Sequence, residues 1–361
     1  MNHSEEEMKK VITSTEQITP EWLTQRLHEK GGLSHGRVTK VEATSFPMRY
    51  ASVISFLNVN YSDDAPESAP RRLFLKRSLH ECFDDQAIKE VFFYNVIADM
   101  MIDPPVVGCY DAVYSQEIGH YHLLLEDVSE THHVLESEPL PPTRLQCEQI
   151  IDCVAKFHAE WWDDSRLGKE IVGHFYEEAY LTGLVDNTAK KFAEFADFLG
   201  DRLSPAIRKS YEKIFAAWPS PFVRRLSQRK HLTLIHRDSH VWNYLLPRTS
   251  IPGRVYMIDW ADWEICAGAR DLAYMIALYW YPQFRQTQEK HLLLRYHSAL
   301  LAHGVDDYDI NDLWYDYRLS VIQLFYLPVW RWANNQPSWW HDLQRFALAF
   351  EDLGCAELLE S

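Results

Sequence analysis

The sequence lacks most of the short signatures that announce chemistry. It has no CxxC pair: its six cysteines (Cys82, Cys109, Cys147, Cys153, Cys266 and Cys355) are scattered over 361 residues. That excludes a zinc ribbon and, in a chain this long, a disulfide framework, and it leads us to expect reduced thiols in a cytoplasmic protein. No HExxH surrounds the histidines at 132–133 or at 236 and 240, so a zinc hydrolase is not expected. GxxxxGK, GxGxxG and GxSxG are all missing, which argues against P-loop, Rossmann and α/β-hydrolase mechanisms. No apolar run approaches the roughly 18–20 residues that span a bilayer. The N-terminus, MNHSEEEMKK, is polar and acidic and reads as neither a signal nor a transit peptide. Positive charge is also short: 36 Lys and Arg stand against 52 Asp and Glu, a formal net charge of −16. A basic nucleic-acid face is therefore not expected, while a cationic small molecule is compatible.

What is present concentrates in 231–273, HLTLIHRDSHVWNYLLPRTSIPGRVYMIDWADWEICAGARDLA. The apolar, β-prone runs at 232–235, 244–246 and 255–258 read as short strands, with the turn PRTSIPG between the last two. His236-Arg237-Asp238 follows the first strand, Asn243 comes five residues after Asp238, and Asp259 ends the third strand. Two carboxylates and an amide in this order suit the positioning of Mg²⁺ and a phosphate for transfer to a hydroxyl. One carboxylate orients the attacking hydroxyl, and the amide oxygen with the second carboxylate holds the metal. Mg²⁺ takes hard oxygen ligands and needs few from protein, so one Asn and one Asp beside nucleotide phosphates suffice.

Upstream, Thr19-Pro20-Glu21-Trp22 opens a helix that ends at Gly31-Gly32, with Thr as cap and Pro in the first helical position. Strands follow at 38–44, 51–61 and 71–77, the last two separated by the polar insert SDDAPESAP. The link 45–52 between the first two strands contains Ser and Arg but no glycine. Lys76 lies on the apolar third strand, where it is either an edge lysine reaching for water or a phosphate-binding group. Glu90, fourteen residues on in the helical run DQAIKEVFFYNVIADM, is the partner that the second reading needs, with Glu81 and Lys89 as less well placed alternatives. Strands resume at 106–114 and 120–128. The later chain reads as helices at 144–163, within 170–217, and at 283–303, 309–332 and 338–357. His158 reads as a core or loop-bracing histidine. The aromatic run Trp330, Trp332, Trp339 and Trp340 reads as core packing or as a cation–π or sugar-stacking wall.

These motifs resemble the catalytic core of the aminoglycoside phosphotransferase and choline kinase-like superfamily, small-molecule relatives of protein kinases. The resemblance implies that Asp238 is the catalytic base, that Asn243 and Asp259 bind Mg²⁺, and that His236 braces the loop. It implies that Asp271, in Gly268-Ala269-Arg270-Asp271, opens a helix and holds the catalytic loop; by its own pattern Asp271 is a helix N-cap. It pairs Lys76, held by Glu90, with the phosphates of ATP, and it places a hinge at 124–128, where backbone groups of Glu126 and Val128 meet the adenine edge. A buried strand turning into a loop fits those hinge residues equally well. Asp262, Trp263 and Glu264 are candidates for acceptor contacts, with a surface loop as the other account. Two departures stand out. Arg237 occupies the place where the small-molecule kinases usually carry Gly, and Asp259 is followed by Trp260-Ala261 instead of Phe-Gly. A protein kinase needs a long activation segment ending in Ala-Pro-Glu; none follows Asp259.

The fold class expected is therefore α+β, a bilobal protein kinase-like fold. A β-rich N-terminal lobe at 1–127 (leader helices plus antiparallel sheet) precedes a mainly helical C-terminal lobe at 128–361 that carries the catalytic loop and acceptor site. The expected function is transfer of the γ-phosphate of Mg·ATP to a hydroxyl of a small molecule such as an aminoglycoside, a choline-like alcohol or a sugar. A kinase-shaped binding module without catalysis, and a protein kinase, are the alternatives.

Overall fold

The computed structural model describes residues 11–47, 52–82, 85–135, 142–169, 175–248 and 253–360. Positions 48–51 of the 45–52 link, 1–10 of the leader, 136–141 of the linker and 249–252 of the turn before Gly253 lie outside them. The chain divides into two compact units, Met1–His133 with Leu245–Asp262, and Val134–Tyr244 with Trp263–Ser361. The linear division at 127/128 does not anticipate the return of 245–262 to the first unit.

The first unit starts with helix α1 (Pro20–Glu29), where the Thr19 side chain accepts from the Trp22 N–H as an N-cap. Five antiparallel strands follow: β1 (Val38–Pro47), β2 (Ser52–Tyr61), β3 (Arg72–Ser78), β4 (Cys109–Ser115) and β5 (His120–Glu126), in the order β1-β2-β3-β5-β4. Alternation along β3 sends Leu73 and Leu75 to one face and Phe74 and Lys76 to the other. The leucine face packs with Leu57, Val59 and Leu124 against Leu23 and Leu27 of α1, forming the apolar core of this unit. Helix α2 (Asp85–Phe92) buries Ala87, Glu90 and Val91 along one side and runs on as a π turn, Phe93–Ile97, and a 3₁₀ turn, Ala98–Met100.

The second unit is mainly helical. Helix α3 (Arg144–Glu160) begins with a capping box between Thr143 and Gln146. It is followed by α4 (Glu178–Leu199), α5 (Pro205–Ala217) and α6 (Ser220–Ser227). A two-stranded antiparallel pair joins Thr233–Ile235 to Glu264–Cys266, and helices α7 (Ala269–Ala273) and α8 (Pro282–Ala302) come next. The helix expected over 309–332 is two helices, α9 (Ile310–Gln323) and α10 (Tyr326–Ala333), with α11 (Trp339–Asp352) after them. Pro328 explains the break: its ring clashes with a helical carbonyl four residues back, and residue 324 is where α9 is capped. Trp332 and Trp339 pack on Phe195 and Phe198 of α4, so core packing accounts for them, while Trp330 stays exposed. Among the described residues no helix is long and apolar enough to cross a membrane, and none of the six cysteines forms a disulfide.

Leu75 is fully buried between sheet and helix. Leu75→Ala should cost about 2–5 kcal/mol of stability, read from the shift of the urea unfolding midpoint at unchanged slope.

Candidate active site

The first unit gathers three of the expected residues. Lys76 Nζ donates to both Glu90 carboxylate oxygens at 2.8 Å and to Asp259 Oδ1 at 2.8 Å. Glu90 is 2% exposed, and a carboxylate buried that far is tolerable only with a charged partner. Burial alone pushes the Lys76 ammonium down, but Glu90 and Asp259 outweigh it and raise it well above the usual lysine range. The two carboxylates thus favour the ammonium form. Trp260, directly after Asp259, stacks flat on Phe93 at a centroid distance of 3.8 Å and donates its indole N–H to Met257 O at 3.1 Å. This ties the Asp259 turn to the helix that carries Glu90, so the tryptophan found in place of phenylalanine still serves as an aromatic anchor. Asp262 accepts from Gln86 Nε2 at 3.1 and 3.2 Å.

At the end of β5, the Glu126 N–H donates to Gly108 O at 2.7 Å, and the Val128 carbonyl accepts from the Thr131 and His132 N–H groups. The Val128 N–H has no acceptor among the described residues.

The second unit gathers the rest. Its loop after Thr233–Ile235 is pinned by Asp271, whose carboxylate accepts the His236 N–H at Oδ2 and the Arg237 N–H at Oδ1, both at 2.7 Å. Asp271 is wholly buried, as is His158, whose Nε2 stands 3.2 Å from Asp271 Oδ2 and whose Nδ1 meets the Tyr296 hydroxyl at 2.7 Å. His158 is thus a brace, as expected. The N-cap expected at Asp271 is corrected: the helix starts at Ala269 after Gly268, with no side-chain cap, and the Asp271 carboxylate turns to the loop instead. Gly268 fits because a Cβ there would collide with the Tyr296 hydroxyl and lie 2.7 Å from His158 Nδ1.

Asp238 stands on this loop with both oxygens engaged. Oδ1 accepts from the Tyr274 hydroxyl at 2.8 Å; Oδ2 accepts from Asn243 Nδ2 at 3.1 Å and lies 3.3 Å from His240 Nε2. Burial pushes this carboxyl up, but His240, Tyr274 and His236 outweigh it and bring it down to about 2. Asn243 Nδ2 also donates to Asp238 O at 2.8 Å. Its amide oxygen accepts no hydrogen bond from the described residues. Tyr274 and His240 were not singled out from sequence; their value lies in contacts that neither spacing nor type signals.

Two sequence candidates for acceptor contact belong to this unit. Trp263 is 1% exposed, which corrects that expectation: so little of its side chain is accessible that it has no surface to offer an acceptor. Glu264 accepts from the Tyr176 hydroxyl and pairs with Arg237 Nε at 3.2 Å. Among the described residues no three His, Cys, Asp or Glu side chains gather into a metal site.

An antiparallel-sheet unit bearing a lysine–glutamate pair, with a helical unit bearing an oriented aspartate on a pinned loop, defines a bilobal protein kinase-like fold. Solved structures share it. The GDP complex of wild-type aminoglycoside 2'-phosphotransferase-IIIa has 12% identity and a TM-score of 0.50, covering 93% of this chain and 99% of that one. An ethanolamine kinase from Plasmodium vivax has 13% identity and a TM-score of 0.51, covering 87% and 81%. At such identities the likeness is one of fold. Residues 49–304 match the ecdysteroid kinase-like family, and the chain belongs to it. No curated protein sequence matches this chain.

Arg237, at the position that carries glycine in the small-molecule kinases it resembles, has φ +69°, where a side chain costs roughly 1–2 kcal/mol. Arg237→Gly should therefore unfold at a higher urea midpoint than Arg237→Ala, since both lose the Glu264 pair but only glycine relieves the backbone. The depressed Asp238 gives a second expectation. Its ionised form stabilises the fold fully above its ordinary value of 3.8, and that contribution is lost as pH falls towards about 2. The stability difference between the wild type and Asp238→Asn should shrink over that window, as followed by urea unfolding at successive pH values.

Proposed function

We propose that the chain is a small-molecule kinase that moves the γ-phosphate of Mg·ATP to a hydroxyl group of its acceptor. The observation that carries this reading is the buried Lys76–Glu90 pair at 2.8 Å with Asp259 at the same lysine. A strand lysine locked to a helix glutamate is the phosphate-binding device of kinase chemistry. Membership of the ecdysteroid kinase-like family and the fold shared with two phosphotransferases support it.

In this reading Lys76 neutralises phosphate charge and Glu90 keeps its ammonium in place. The Val128 N–H and the Glu126 backbone receive the base of ATP. Asp238 orients the acceptor hydroxyl; a carboxylate held near 2 is a weak base, so aligning the nucleophile weighs more than early proton removal. His236 and Asp271 hold the loop that carries it. Asn243 and Asp259 are the proposed metal-binding residues. The donor set fits on chemical grounds: an amide oxygen that no described protein group occupies and a half-exposed carboxylate are the hard oxygens Mg²⁺ prefers. When bound, the ion supplies charge neutralisation on the transferring phosphate. Asp262 and Glu264 are the remaining candidates for acceptor contact. Six cysteines outside any disulfide suit the cytoplasm, which we propose as its location.

The acceptor is to be found by screening ADP release against ecdysteroids, aminoglycosides, choline, ethanolamine and sugars. With the acceptor so found, Asp238→Ala should lower transfer by about 10²–10⁴-fold while ATP affinity by calorimetry stays within a few-fold. Full transfer in that variant would remove the role given to Asp238. Asp259→Ala should abolish the Mg²⁺-dependent part of ATP binding in the same calorimeter. A binding module without catalysis would bind ATP and leave ADP release at background with every acceptor.

A further inference from the structure

Asp238 sits at the end of a hydrogen-bonded chain that runs into the helical core. The Tyr274 hydroxyl, 2.8 Å from Asp238 Oδ1, lies 3.3 Å from the Tyr279 hydroxyl. Arg331 Nη2 is 2.7 Å from the Tyr279 hydroxyl and 3.4 Å from that of Tyr274, and Arg331 Nη1 donates to Asp342 at 2.6 Å. Arg331 and Asp342 are 7% and 1% exposed. The direction of every bond follows from chemistry. A guanidinium only donates and a carboxylate only accepts. Tyr274 gives its single hydroxyl hydrogen to Asp238, so Tyr279 is the donor between the two phenols and its own oxygen accepts from Arg331. The chain is polarised one way, from Arg331 to Asp238.

The backbone is shaped to make this chain. Tyr274 and Tyr279 are five residues apart, and in an α-helix, with 3.6 residues per turn, that spacing does not put side chains over one another. Residues Tyr274–Leu278 form a π turn, whose i to i+5 closure returns residue 279 to the side of residue 274. The two rings consequently lie 5.2 Å apart.

We propose that Tyr274, backed by Tyr279 and Arg331, is a positioning residue that holds the Asp238 carboxylate in the orientation needed to align the acceptor hydroxyl. This rests on the phosphotransferase reading above. Without Tyr274, Oδ1 loses its donor while Asn243 and His240 still hold Oδ2, leaving the carboxylate free to turn about those remaining contacts.

The test compares crystal structures of wild type and Tyr274→Phe, together with steady-state hydrolysis of Mg·ATP by water, followed as ADP release. The expected result is a rotated Asp238 carboxylate and a kcat lowered roughly tenfold to a hundredfold, as expected when a reacting group is misplaced, with KM for ATP within about twofold. Tyr279→Phe, which keeps the first bond, should show a smaller drop of the same kind. An unrotated carboxylate in Tyr274→Phe overturns the inference whether or not hydrolysis is measurable. So does an unchanged kcat in Tyr274→Phe while Asp238→Asn is inactive. Asp238→Asn hydrolysing as fast as wild type would instead bring down the phosphotransferase reading itself.

Discussion

The second unit depends on one buried carboxylate. Asp271 has no access to solvent, and its oxygens are met by two backbone N–H groups at 2.7 Å and by His158 at 3.2 Å. Hydrogen bonds to an ionised acceptor are about twice as strong as neutral ones, and leaving such a charge without partners would cost several kcal/mol. The loop bearing Asp238 is therefore determined from behind. Its backbone donors have nowhere better to go, and the Asp271 carboxylate has no substitute for them. The packing that keeps Asp271 dry, with His158, Tyr296 and Gly268 in contact, also sets the direction in which that carboxylate points.

This anchoring lets the loop carry an unfavourable residue. Arg237 holds φ at +69° and Asp259, in the other unit, at +67°, a region that residues with a Cβ enter only when their surroundings insist. At Arg237 the insistence is visible: the N–H is fixed by Asp271 and the guanidinium by Glu264. At Asp259 the following Trp260 is locked on Phe93 and the carboxylate is drawn to Lys76. Strain of this kind clusters at functional sites; here Arg237 precedes Asp238 and Asp259 is itself assigned to chemistry, although Asp163, Arg229, His231 and Asn335 enter the same region elsewhere in the chain.

How much of this was legible beforehand follows the range of the forces involved. Strand alternation, proline and glycine punctuation and the cap at Thr19 are local, and the sheet, α1 and most helix limits were readable from them. The Lys76–Glu90 pair was one of two readings of Lys76, and it was the resemblance, which asks a strand lysine for a glutamate on the next helix, that favoured it. The direction of the Asp271 carboxylate was not readable from local pattern, which reads as a cap; only the resemblance pointed to the loop, and it is the fold that brings the two loop N–H groups to it. Pro328 carried the break in 309–332, but its clash falls on a carbonyl four residues away, so the boundary is easily placed too late. The π turn at Tyr274–Leu278 left no pattern at all, since an inserted residue shifts the helical register without changing composition. With it went any sign that Tyr274 and Tyr279 share a side.

The two units solve the same electrostatic problem in opposite ways. In the first, a cation is prepared: two carboxylates converge on one ammonium, so the lysine is charged and immobile before any anion arrives. In the second, an anion is prepared: donors from Tyr274, Asn243 and His240 converge on Asp238 and overcome the effect of its burial, keeping it ionised. Groups fixed in advance need no reorganisation when charge moves during reaction, and that preorganisation is the larger part of electrostatic catalysis. Each unit holds its charge with its own buried hydrogen bonds, which is why residues remote from any reacting atom, Asp271 and Glu90 above all, set what the exposed ones can do.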